Sequence, residues 1–504
     1  MQTLLVVLYC VVLLVLCSYG VHRAKLVLEC VRHKRRLKAA EERVDLPEAD
    51  LPRVTVQLPL YNEATVARRL IEATGKLDYP ASLLEIQVLD DSTDETVSLA
   101  RAAVEELRER GIDAVYVRRP NRHGYKAGAL DYGLKLAKGD LVAIFDADFI
   151  PQPAFLREVV GHFRNPRIGM VQTRWGHLNR DHGLLTSIQA LMLDGHHMVE
   201  NRARFGSGAM FNFSGTGGIW RREAIESAGG WQHDTLTEDL DLSYRAQLAG
   251  WRFVYRSDVV TPAELPEELS AFRAQQYRWA KGTVQTARKL LGRVLATHEL
   301  SWSQRIEAVF HMLPHFAYPA MVLLSLLLLP ALLFMPATDV RTMLLIDLPL
   351  CLGATGSLAT FYAMAERAQG RSVWGAIRRL PALIALGAGL SPHLTAAVWD
   401  GLCSMAGEFV RTPKRGTMSG RYRQRAKLPL AEMALALVNA ASIVAAIETG
   451  HWFAAPFAAL FMLGYGCVAV LVVYEQLGRQ LPEADRVSTE PAAPAEASTM
   501  ARAA

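Results

Sequence analysis

At 504 residues the chain is long enough for one large soluble domain plus a second region. A formal net charge of +5 with 51 % hydrophobic residues fits basic loops beside apolar segments and gives nucleic-acid binding no support. The six cysteines lie mostly in apolar segments and form no CxxC pair, which excludes a disulfide framework or a zinc site as the organising principle.

Residues 3–20, TLLVVLYCVVLLVLCSYG, carry no charge and approach the roughly 20 residues of a membrane helix. VHRAKLVLECVRHKRRLK follows. A cleaved secretory signal has its basic residues before the apolar run. The reversed order predicts an uncleaved anchor over 1–22 with its C-terminal end in the cytoplasm, then a basic cytoplasmic linker over 23–50. From 51 to 262 the polarity is mixed. Strand-like RVTVQLPLYNE (53–63), EIQVLDDSTDET (85–96), DAVYVRR (113–119) and DLVAIFDADFIP (140–151) alternate with helix-like stretches such as TVSLARAAVEELRERG. That alternation predicts an α/β domain with a mostly parallel sheet and helices on both faces. Ligands of such sheets sit at the C-terminal strand ends, where Asp90 and Asp91 close one strand and Asp146 and Asp148 another.

Asp146-Ala-Asp148 follows the buried run LVAIF. Two carboxylates at i and i+2 can reach one hard divalent cation that keeps waters and binds phosphates. The other reading is a turn in which both cap backbone amides, but an unpaired buried acid is costly. Lys126 opens a helix after a glycine-containing loop, a place that suits a phosphate, although alone it reads as a surface lysine. TEDLDLSYRAQ (237–247) has Glu238, Asp239 and Asp241 within four residues. On its own this is a helix start, with Thr237 as cap and acids complementing the dipole. In QQYRWAKG, residues Gln275, Arg278 and Trp279 share one helical face, which serves either an amphipathic interfacial helix over 263–310 or a ligand. Gly215, Gly217 and Gly218 in FSGTGGIWRR permit either close ligand approach or a tight turn.

Apolar runs at 315–336, 343–364, 428–449 and 453–474 are each long enough to span. The stretch 380–402 contains Gly387, Gly389, Pro392, His393 and Asp400. If it spanned, the basic loop 411–427 would face outward against the charge rule, so it is expected to be interfacial or re-entrant. Five spans result: the anchor, a hairpin within 311–366 and a hairpin within 428–476, with 367–427 between the hairpins. The N-terminus lies outside and the C-terminus inside. The tail 477–504 is Pro/Ala/Glu-rich and expected to be disordered.

YNE (61–63), DDSTDET (90–96), KAGAL (126–130), DAD (146–148), FSGTGGIWRR (213–222), TEDLDLSYR (237–245) and QQYRW (275–279) occur in that order. The set resembles the D, DxD, D, QxxRW series of processive family 2 glycosyltransferases, which include cellulose, mannan and hyaluronan synthases. FVRTPKRG (409–416) is similar to the FxVTPK gating loop of bacterial cellulose synthase, with Arg411 where that pattern has valine. VQTRWGHLN (171–179) looks closest to the glucomannan mannosyltransferase and glucan synthase branch.

The resemblance implies a GT-A type nucleotide-sugar-binding domain inserted between transmembrane helices. In it, Asp91 and Asp90 contact the base and ribose, helped by Tyr61 and Glu63. Asp146 and Asp148 hold Mg²⁺ or Mn²⁺ and the diphosphate, with Lys126 in support. Asp239 is the general base, so a helix start and a catalytic base coincide. Trp279 stacks under the acceptor sugar, Arg278 and Gln275 touch the diphosphate or terminal sugar, and Gly217 and Glu238 lie beside the acceptor. Phe409, Thr412 and Lys414 belong to the gating loop. Many members have Asn where this chain has Ser214, and no contact is assigned there. The implied reaction inverts UDP-glucose or GDP-mannose into a β-linked polysaccharide at the cytoplasmic face of an inner or plasma membrane, with envelope export subunits as candidate partners. Two alternatives are a transferase adding one sugar to ceramide or diacylglycerol and a catalytically silent membrane subunit.

Overall fold

The computed structural model describes residues 2–334, 355–405, 407 and 428–478. Phe409, Thr412 and Lys414, the first part of the 343–364 run and the tail from 479 lie outside the described residues.

Seven strands form one sheet: β1 (Val54–Leu60), β2 (Leu84–Asp90), β3 (Asp113–Val117), β4 (Leu141–Ile144), β5 (Ile168–His177), β6 (Gly218–Arg221) and β7 (Arg252–Ala263). Their order is β3-β2-β1-β4-β6-β5-β7. Only β6 runs antiparallel to its neighbours, so the expected mostly parallel α/β sheet is present. β2 and β4 are buried along their whole length, because helices cover both faces and apolar runs replace alternation. The helix Ala64–Thr74 shows the complementary pattern. It buries Val66, Ala67, Leu70 and Ile71 as one stripe, and truncating the fully buried Leu70 to Ala costs about 2–5 kcal/mol. The chain builds outward from β1 to β3, then returns to place β4 on the other side of β1. That reversal opens a crevice beyond the C-terminal ends of β1 and β4.

Among the described residues five helices are long and apolar enough to cross a membrane: Gln2–Arg32, Pro314–Phe334, Val373–Cys403, Leu430–Glu448 and Ala455–Leu477. The stretch 380–402, expected from the charge rule to be interfacial or re-entrant, lies within one continuous helix, Val373–Cys403, that runs through Pro381 and Pro392. Gly389 does not break it. A Cβ there would lie 2.2 Å from the Gly464 carbonyl oxygen, so this glycine lets two helix backbones touch. The same helix presents Leu390, Leu394 and Ala397 to Leu269, Phe272 and Ala280 and to Val468 and Val472.

The helix Leu269–Ala296, which carries QxxRW, is tied to these apolar helices by charge. Glu475 accepts the Leu269 and Ser270 amides at 2.7 and 3.0 Å, satisfying donors that a helix start leaves open. Arg273 pairs with Glu432 at 2.9 Å and Lys281 with Asp400 at 2.8 Å.

Candidate active site

The crevice is a cleft lined by residues from all the motif segments that lie within the described chain. Tyr61, Glu63, Asp91, Lys126, Asp146, Asp148, Glu238, Asp239, Gln275, Arg278 and Trp279 all face it. These residues are spread over more than two hundred positions, and the sheet gathers them because β1, β2 and β4 end on one side.

Two expected site residues stand elsewhere. Asp90 is 1 % exposed. Its carboxylate accepts the Ser92 amide at 2.9 Å and the Tyr116 hydroxyl at 2.7 Å, and it does not line the cleft. Neighbouring strand residues point to opposite faces, so Asp91 alone reaches the cleft. There Arg119 holds it with two hydrogen bonds of 2.8 and 2.6 Å, a planar fork matched to a carboxylate. Gly217 is a structural turn. Its carbonyl takes the Thr173 hydroxyl at 2.6 Å, and Gly215 makes the close approach instead. With φ +83°, a Cβ at Gly215 would lie 3.1 Å from Asp239 Oδ2, so a side chain here would crowd the carboxylate.

The acidic helix start divides its labour. Asp241 is fully buried and pairs with Arg245 at 2.7 Å and Lys289 at 2.9 Å. Glu238 and Asp239 face the cleft. Thr237 occupies the N-cap position, but its hydroxyl makes no cap hydrogen bond. It lies 3.1 Å from the Thr286 hydroxyl, because the helix Leu269–Ala296 packs against this end. Asp239 Oδ1 instead accepts the Leu240 amide at 2.8 Å, which orients its carboxylate. Burial first, then the adjacent Glu238 carboxylate, pushes the Asp239 carboxyl up to about 7. Burial also raises Glu238, against the pull of Lys126. A carboxylate poised near neutral pH is suited to accept a proton.

Lys126 donates to Asp146 Oδ1 at 2.5 Å and to the Gly215 carbonyl at 2.9 Å. Burial lowers the affinity of this ammonium for its proton, but Asp146, Glu238 and Asp239 together outweigh that and keep it charged. The cleft is lined by seven acidic side chains (Glu63, Asp91, Asp146, Asp148, Glu238, Asp239, Glu264) and by Arg122, Lys126 and Arg278, and of the acids Asp91 and Glu264 are also paired with Arg119 and Arg69. A diphosphate entering this excess of negative charge requires added positive charge. Among the described residues no group of three or more His, Cys, Asp or Glu side chains gathers to hold a metal. Asp146 and Asp148 nevertheless fit a hard divalent ion, which commonly takes one or two carboxylates and completes its shell with phosphate oxygens and water.

Several cleft residues have no distinct signal in the sequence. Arg122 lies 3.3 Å over the Tyr61 ring, and Trp175 faces the cleft from β5. RPNRHGYK and VQTRWGHLN contain them, but only the register of the folded strands says which way they face. A second cavity of about 330 Å³ lies behind the cleft, and Asp239, Trp279, Trp175, Gln275 and Ser214 border both. Its far wall comes from helices next to or within the apolar set, including Tyr19, Phe310, Tyr318 and Tyr362.

The switch point of this GT-A-like sheet thus gathers paired carboxylates, a lysine and the buried Asp239 carboxyl in one cleft. Residues 52–282 match the family described as "Glycosyltransferase like family 2". Similar proteins include Glucomannan 4-beta-mannosyltransferase 2 of Arabidopsis thaliana, 41 % identical over 271 residues, covering 53 % of this chain and 51 % of that one. Glucomannan 4-beta-mannosyltransferase 1 of Oryza sativa subsp. japonica is 36 % identical over 324 residues, covering 63 % and 62 %. The chain thus spans about half to three-fifths of the length of these relatives. Among solved structures, the mannosyltransferase PcManGT from Pyrobaculum calidifontis, in complex with GDP-Man and Mn²⁺, shares the fold. Its TM-score is 0.50 at 24 % identity, covering 74 % of this chain and 99 % of that one.

Proposed function

We propose that the protein transfers mannosyl units from a nucleotide sugar to a growing β-linked polysaccharide of mannan or glucomannan type, with inversion at the anomeric carbon. The observation that carries this reading is the position of Asp239 on the shared wall of the donor cleft and the second cavity. In the proposed reaction an acceptor hydroxyl in the second cavity attacks the anomeric carbon from the side opposite the diphosphate. The new glycosidic bond forms as the bond to the diphosphate oxygen breaks, and Asp239 takes the hydroxyl proton. Lys126 and Arg278 stabilise the leaving diphosphate, Asp91 with Arg119 serves the nucleoside end, and Trp279 supports the acceptor ring. Asp146 and Asp148 are the residues that would hold Mg²⁺ or Mn²⁺, and such an ion supplies Lewis-acid stabilisation of the leaving diphosphate.

The cavity's far wall among apolar helices supports passage of the product toward the membrane. The proposed setting is an inner or plasma membrane with the transferase domain on the cytoplasmic side. The basic segment after the first apolar run supports that orientation. UDP-glucose is the competing donor. The mannosyl donor is favoured by the relatives' activity, and GDP-mannose is the form bound by PcManGT.

Membranes containing the protein, incubated with Mn²⁺ and radiolabelled GDP-mannose or UDP-glucose separately, test the proposal. A long product from GDP-mannose that β-mannanase digests is the expected result. A small organic-soluble product would instead establish transfer of one sugar to a lipid.

A further inference from the structure

We infer that the turn His196–Glu200 is a carbohydrate-reading site on the acceptor side of Asp239, with His197 as the group that hydrogen-bonds an acceptor hydroxyl. This rests on the polysaccharide transfer proposed above. Residues 184–207 would form one helix were it not for a π-helical turn at His196–Glu200, between Leu184–Gly195 and Asn201–Ser207. A π turn holds one extra residue and is frequent at functional sites. Here it aims His196, His197 and Glu200 into the second cavity.

His197 is fully buried. Its Nδ1 lies 3.0 Å from the Tyr255 hydroxyl and its ring tilts against Trp175 with centroids 5.2 Å apart. Its Nε2 has no hydrogen-bond partner, and neither has the buried hydroxyl of Ser214 on the opposite, cleft-facing border of the cavity. Buried polar atoms are normally satisfied, so two of them beside one cavity point to a ligand. Burial, then the neighbouring His196, His177 and Arg174, keep the His197 ring neutral.

The chemistry of the walls selects the ligand class. The charges of this turn are already matched: Glu200 takes His196 at 3.0 Å and Arg204 at 3.3 Å, and Arg204 also reaches Glu307 at 3.2 Å. What the turn leaves over is the neutral, polar His197, beside Trp175 and Trp279, while Arg23 lines the same cavity from the first apolar helix. A neutral ring with many hydroxyls satisfies that combination, since each hydroxyl can donate or accept and thus suits either tautomer of His197. Held there, the acceptor presents its reacting hydroxyl to Asp239.

The test uses the full-length protein in nanodiscs, with GDP-mannose as donor and a β-1,4-linked mannooligosaccharide as added acceptor. His197→Ala should raise the acceptor KM at least about tenfold while the donor KM and kcat stay within about twofold. His197→Gln, whose amide restores a polar atom near Nε2, should recover most of the loss. Donor binding equal to wild type verifies folding. If His197→Ala fails to fold, Tyr255→Phe, which keeps the ring but frees its Nδ1, replaces it and should raise the acceptor KM about threefold. An unchanged acceptor KM in the folded variant, with wild type active, overturns the site alone. A wild type that extends no β-linked hexose oligosaccharide overturns the proposed function and the site together.

Discussion

The two cavities that meet at Asp239 are built differently. On the donor side, charge is set against charge: Asp91 with Arg119 and Asp146 with Lys126, both at 2.5–2.8 Å. On the far side, the charged groups of the π turn close on each other, and His197 Nε2 and Ser214 Oγ are left without partners. The difference follows the ligands proposed for each. A nucleoside diphosphate carries charge that must be matched in a partly dry cleft, whereas a neutral sugar chain asks chiefly for hydrogen-bonding groups.

The largest effect that would sharpen this contrast comes from removing divalent cations. Chelation should lower turnover by at least about 10³-fold, the several kcal/mol of charge stabilisation such an ion supplies, and should leave binding of a free oligosaccharide unchanged. Rates that survive exhaustive chelation would break the assignment of Asp146 and Asp148. Next is pH. Asp239 must be ionised to accept a proton, and its carboxyl lies near 7, so kcat/KM should rise with pH up to and through about 7 and level off above. Removing the neighbouring negative charge in Glu238→Gln should move that limb to lower pH. A limb that moves upward contradicts the electrostatic account. Because the folded Asp239 pKa is raised, its ionisation costs stability that builds up between its ordinary acidic range and about pH 7. Asp239→Asn should therefore melt higher than wild type at pH 8 and show no gain at pH 4.

A smaller effect tests the helix seam. Gly389→Val places atoms where the Gly464 backbone lies and should lower the yield of folded protein severalfold, as overpacking costs about 1–3 kcal/mol. The most local effect is that of Arg119→Lys. Losing the two-pronged grip on Asp91 should weaken donor binding about tenfold without changing the acceptor KM, and an acceptor effect would blur the division between the two sides.

Much of the donor side was legible in the sequence, because each carboxylate closes an apolar strand and strand ends converge in a parallel sheet. What could not be read was side-chain direction. Asp90 and Asp91 are identical neighbours, and only strand register decides that Asp91 faces the cleft while Asp90 serves Ser92 and Tyr116. Likewise, of Gly215, Gly217 and Gly218, it is Gly215 that packs against Asp239. The acceptor side had almost no sequence signal. Its walls come from segments as distant as Tyr19, His197, Phe310 and Tyr362, and a π turn has no motif. Gly389 serves contact between helices, a role that depends on a partner 75 positions away.

The most direct test of Asp239 as the link between the two sides is a paired measurement on Asp239→Asn in the same membrane preparation: equilibrium binding of GDP-mannose and the initial rate of polymer formation. The account predicts donor affinity within about twofold of wild type and a rate lower by about 10²–10⁴-fold, the usual contribution of a positioned general base. A rate close to wild type would contradict it.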